Sequence, residues 1–163
     1  MENAKFKNFL ENAKLLNGRF RVVPLLYGSL GLEQITEANL HSNDINILIP
    51  EEFLEEEKWT ALISFLEENG YTLVDEQSHT FIKEDIEYSY APIEELKIFA
   101  SIDPKDIGIY EKSGVRYKSL SLDQYLTVYQ KSQEKYHNED KQEKSHPWSP
   151  EKYDQHPQQR QPD

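Results

Sequence analysis

Residues 25–29, Leu-Leu-Tyr-Gly-Ser, and residues 44–49, Asp-Ile-Asn-Ile-Leu-Ile, decide the fold. Each is a short apolar run of strand type. The first ends in a glycine turn at Gly28-Ser29. The second alternates, with Ile45, Ile47 and Ile49 on one face and Asp44, Asn46 and Leu48 on the other. Asp44 and Asn46 therefore point the same way. Ser29 is suited to cap a short helix through about Thr36.

Outward from this pair, Phe6, Phe9, Leu10, Ala13 and Leu16 recur at helical spacing and predict a helix over 3–17. Asn17-Gly18 is read as its stop, and the first strand is read as Arg21 to Tyr27. Pro50 is expected to open the next helix, which Asn69-Gly70 ends. Residues 71–74, 80–83 and 86–90 read as strands, with Glu84-Asp85 as a two-residue turn. Pro92 is expected to open a short helix through about Ala100. A hairpin spans 107–120 around Lys112-Ser113-Gly114, and Ser121 caps a final helix. The expected fold is α+β (mixed α/β), a small mixed sheet with helices mainly on one face. The expected domain covers 1–136, with its core at 20–92 and the hairpin and last helix at 107–136.

Residues 137–163 read as a polar tail. Four of the eight prolines lie beyond residue 146, and Trp148 and Tyr153 are its only strong apolar anchors. So little apolar surface does not offset ordering entropy, and disorder is expected there.

The chain has 30 acidic and 18 basic side chains, for a net charge of −12. That balance argues against duplex nucleic acid as a partner, because duplex affinity rests on Lys and Arg neutralising phosphates. Cysteine is absent, which removes disulfides and thiolate chemistry and fits a cytoplasmic protein. The first residues lack the apolar core of a signal peptide. No apolar run approaches the ~20 residues needed to cross a bilayer.

The run Leu26-Tyr27-Gly28-Ser29 with Asp44-Ile45-Asn46-Ile47 resembles the nucleotidyltransferase superfamily with the DNA polymerase β-like fold, including its small bacterial members. In that pattern Gly28 and Ser29 correspond to a phosphate-binding turn and Asp44 to the first metal ligand. Asn46 occupies the second ligand position. Glu87 is the best third candidate, because period two places Glu87 and Ser89 on one face of the strand 86–90. The resemblance implies a nucleoside triphosphate with Mg2+ or Mn2+, transfer of a nucleoside monophosphate to a hydroxyl acceptor, and Asp44 and Glu87 as catalytic carboxylates. Asn46 departs from the pattern, since an amide offers an oxygen without charge. This favours an alternative, a non-catalytic module of the same fold acting with a protein partner. A third reading is an unrelated α+β interaction domain that uses some of its ten tyrosines to bind a protein. His41, His79 and the tail histidines read as solvated or hydrogen-bonded side chains.

Overall fold

The computed structural model describes residues 4–36 and 44–139, with side chains to residue 134. The chain order is α1 (Ala4–Phe20), β1 (Leu25–Tyr27), α2 (Gly28–Thr36), β2 (Asp44–Ile49), α3 (Glu56–Glu68), β3 (Thr72–Asp75), β4 (Thr80–Lys83), β5 (Ile86–Pro92), α4 (Glu95–Ala100), β6 (Gly108–Lys112), β7 (Val115–Ser119) and α5 (Leu122–Glu139). The strands form one seven-stranded sheet in the order β3-β4-β5-β2-β1-β7-β6. The pairs β2/β5 and β1/β7 are parallel and the others antiparallel. This mixed sheet with helices is the expected α+β class.

The expected layering is corrected. Helices cover both faces of the sheet, not mainly one. Ile45, Ile47, Ile49, Leu26, Phe81, Tyr88 and Tyr90 pack with Phe6, Phe9, Ala13 and Leu16 of α1 and Trp59, Leu62 and Leu66 of α3. On the opposite face Leu25, Tyr27 and Leu48 pack with Leu96 and Ala100 of α4 and Tyr125 and Val128 of α5. The cause lies in the two central strands. All three residues of β1 and the last five of β2 are buried, as in strands covered on both sides. Helix α2 reaches both cores, with Leu30 in the first and Leu32 against the second.

The stop signals differ in how they act. At the end of α3, Gly70 has φ +95°. Tyr71 N–H donates to the Leu66 carbonyl at 3.0 Å, and Gly70 N–H to that of Glu67 at 3.2 Å. This is a Schellman ending, as the Asn-Gly pair suggests. At Asn17-Gly18 the helix instead continues to Phe20. The Asn17 amide is committed elsewhere. Its Nδ2 donates to the Val22 carbonyl at 2.8 Å and its Oδ1 accepts from Arg116 N–H at 2.8 Å. Arg21, with φ 58°, then closes the helix, so β1 starts later than its apolar run suggests. After Pro50 the chain makes a 3-10 turn over Glu51–Leu54, and Glu55 is extended before α3 begins. Five glutamates fall in residues 51–57, and like charges four apart weaken a continuous helix. Glu84 and Asp85 form the expected tight turn, both with positive φ. Ser121 and Gln124 make a reciprocal cap on α5: Gln124 N–H donates to Ser121 Oγ at 3.1 Å and Ser121 N–H to Gln124 Oε1 at 2.9 Å.

His79 supplies a pH test of the first core. Its ring meets Trp59 edge-on at 4.8 Å. Burial pushes its pKa below the ordinary value, because the charged form loses hydration. A depressed folded pKa means that the unfolded chain takes up the proton first as pH falls. The contribution to stability is therefore complete above the unfolded pKa and is lost as pH drops through the folded one. The difference in melting temperature between the wild type and His79→Asn, which tolerates positive φ, is expected to shrink between about pH 7.5 and about pH 5. Thermal melts across that range check it, and a constant difference would show that His79 does not titrate with folding.

Candidate functional site

Strand β1 ends where Gly28 takes φ +74° and α2 begins. A positive φ is open to glycine and costly for most residues. It turns the chain from β1 into α2, whose first amides, Ser29 among them, have no partner within the helix. Such a turn suits phosphate oxygens.

Asn46 lies against this turn. It is the register partner of Tyr27 in the antiparallel β1/β2 pair. A Cβ placed on Gly28 would fall 2.8 Å from Asn46 Nδ2. Asn46 is 7% exposed, so little of it faces solvent. Gly28 is thus required twice, by its backbone angle and by its neighbour.

Across the parallel β2/β5 pair, Asp44 is the register partner of Glu87, and Asn46 that of Ser89. Parallel neighbours lie about 4.8 Å apart and partner residues point to the same face. The structure therefore brings Asp44, Asn46 and Glu87 together on one face, beside Gly28 and Ser29. Asp44 is half-buried and Glu87 exposed, so both stand at the open end of this face. Farther in, α4 and α5 cover it.

A row of hydroxyls extends the site. Ser89 Oγ lies 2.8 Å from Thr80 Oγ1, which lies 2.7 Å from Ser78 Oγ. The row runs from Asn46 across β5 to β4, with Asn46, Ser89 and Thr80 all buried. The sequence placed Ser89 on the Glu87 face but gave Thr80 no role, since its position depends on the β4/β5 register. His41, three residues before Asp44, and His146 and His156 lie outside the described residues. His79 lies on the Trp59 side of the sheet.

Helix α5 fixes the turn from behind. Tyr125 Oη donates to the Leu26 carbonyl at 3.0 Å. Its ring lies 6.1 Å from that of Tyr27. Burial pushes the Tyr125 phenol well above its ordinary pKa, so it stays a neutral donor. Its hydroxyl also fills the space above Gly31, where an added Cβ would overlap it.

Two carboxylates and an amide oxygen are hard donors that fit one Mg2+ or Mn2+ completed by water or phosphate oxygens. Two ions ask for more negative charge. Among the described residues no group of three His, Cys, Asp or Glu is arranged to hold a metal.

No helix among the described residues is long and apolar enough to cross a membrane. No protein-family model matches the chain, and no solved structure matches it. The chain is 42% identical over 127 residues to the uncharacterized protein YnaI of Bacillus subtilis (strain 168), covering 78% of this chain and 81% of that protein. At that identity and coverage the chain belongs to the same family as the uncharacterized protein YnaI of Bacillus subtilis.

Proposed function

We propose that this protein binds a nucleoside triphosphate with one divalent cation at the end of β1, β2 and β5, as a nucleotidyltransferase-like protein of the cytoplasm. The observation that carries this reading is the register match of Asp44 with Glu87 beside the Gly28-Ser29 turn. Ser29 and the α2 amides bind phosphate oxygens, while Asp44, Glu87 and the Asn46 oxygen hold Mg2+ or Mn2+. When bound, the ion supplies positive charge to the triphosphate and to the leaving group. In transfer, an acceptor hydroxyl oxygen bonds to the α-phosphorus. The bond from that phosphorus to the bridging oxygen breaks, pyrophosphate leaves, and a site carboxylate takes the hydroxyl proton.

Asn46 supports a second reading, a module that binds nucleotide and acts through a protein partner without transfer. Both readings require the same site. Isothermal titration with ATP and GTP, with and without Mg2+ or Mn2+, tests them together. Metal-dependent binding is expected in the wild type, and Asp44→Ala or Glu87→Ala should weaken it at least about tenfold, or ~1.4 kcal/mol. Absence of binding to either triphosphate would reject both. If binding occurs, transfer of radiolabel from the α-phosphate separates the enzyme from the module.

A further inference from the structure

On the α1/α3 side of the sheet, away from Asp44 and Glu87, lies a groove of about 590 Å3. Leu15 and Gly18 of α1 and Phe65 of α3 form its apolar part, and Lys14, Arg19 and Lys83 its cationic part. Glu11 is the one acidic residue in its lining, so the groove is cationic in a protein of net charge −12. The bias extends along α1, where Lys5, Lys7, Lys14 and Arg19 face a single acid, Glu11.

These cations are placed on rings. The Arg19 guanidinium lies 4.9 Å from the Phe20 centroid and 5.9 Å from that of Phe65. The Lys83 ammonium lies 4.8 Å from the Tyr71 centroid. Among the described residues, none of Lys14, Arg19 and Lys83 is in an ion pair, unlike Lys58, Lys97, Lys105 and Lys131. No carboxylate contact among the described residues neutralises their charge in the groove. The volume lies in the usual range of small-molecule sites, roughly 300–1,000 Å3.

We propose that this groove binds a small organic anion, an aromatic ring bearing a carboxylate, sulfonate or phosphate. The ring lies over Phe65 and Leu15, where it buries apolar surface. The anion meets Arg19 and Lys83, with Lys14 at the rim. The groove does not depend on the nucleotide reading, since it shares no residue with that site.

The test uses the full chain and the anionic dye 8-anilinonaphthalene-1-sulfonate, followed by fluorescence. Saturable binding at one site is expected, weakened by salt. The double variant Arg19→Ala/Lys83→Ala should bind about tenfold or more weakly. Gly18→Trp should abolish binding by filling the groove. A Cβ at Gly18 meets nothing within 4 Å, so the new side chain enters open space. Circular dichroism melts confirm that the variants fold, and Asp44→Ala should bind the dye as the wild type does. Displacement by 1-naphthoate or by AMP separates an aromatic carboxylate from a nucleoside phosphate as the natural class. No saturable binding, or binding unchanged in both groove variants, overturns the proposal. Displacement by inorganic phosphate alone overturns the requirement for a ring. Displacement by poly-glutamate and not by naphthoate overturns the small-molecule assignment in favour of an acidic chain.

Discussion

Gly31→Ala is expected to lower the unfolding free energy by about 2–4 kcal/mol, although alanine is the better helix former. The position is helical and both of its neighbouring contacts are fixed. An added Cβ would overlap the Tyr125 hydroxyl and fall 2.9 Å from the Leu26 carbonyl oxygen. Tyr125 is 1% exposed, so its hydroxyl cannot simply swing out to water. It must give up its bond to Leu26, and a buried donor left without a partner costs about 1–3 kcal/mol. The helix gain of ~1 kcal/mol offsets only part of this. Chemical denaturation measures the loss, and a second variant assigns its cause. In Gly31→Ala/Tyr125→Phe the hydroxyl is gone and much of the overlap with it. The pair should lose less stability than the sum of the two single changes, by about 1 kcal/mol or more. Strict additivity would mean that α5 does not rest on Gly31.

Asn46→Asp is expected to change the site in opposite directions with and without metal. Without metal, a third carboxylate joins Asp44 and Glu87 at a position only 7% exposed. Burial and like charge both oppose ionisation there, so stability should fall by on the order of 1–3 kcal/mol near neutral pH. The sign follows from linkage. The introduced carboxyl has a folded pKa above its unfolded one, so the penalty vanishes at low pH, where both states are protonated. With Mg2+ or Mn2+, the added charge would join the donors proposed for the ion. The affinity for metal with nucleotide should rise about tenfold or more, and the melting temperature should recover as metal is added. Calorimetry and metal-dependent melts check both halves. A loss of stability that metal does not reverse would argue against a cation at this end of the sheet.

Much of this architecture was legible from local signals. Asn69-Gly70 and Ser121 act within a turn of themselves, and their bonds form as their spacing implies. Period two placed Asp44 with Asn46 and Glu87 with Ser89, because a strand cannot turn one side chain without turning its neighbours. That β2 and β5 are adjacent and in register is a separate, non-local fact. Alternation within each strand does not reach it. Asn17-Gly18 misled because the same amide that can end a helix can also tie α1 to β7 at Arg116. The helices on both faces were foreshadowed by Leu48, an apolar residue on the Asp44 face. One leucine among polar neighbours is a weak signal until Leu25 and Tyr27 are seen beside it. Nothing near Gly31 announces Tyr125, which arrives from the far end of the chain.

The bond from Tyr125 to Leu26 spans 99 residues, as do those between Asn17 and Arg116. Contacts so distant in sequence form late, because the intervening loop must close first. During synthesis, a nascent chain that ends before Val115 already contains Gly28, Ser29, Asp44, Asn46 and Glu87. It lacks β7, which flanks β1, and the helix that anchors the turn. An incomplete copy therefore carries every candidate ligand without the strand and helix that hold the Gly28-Ser29 turn in place.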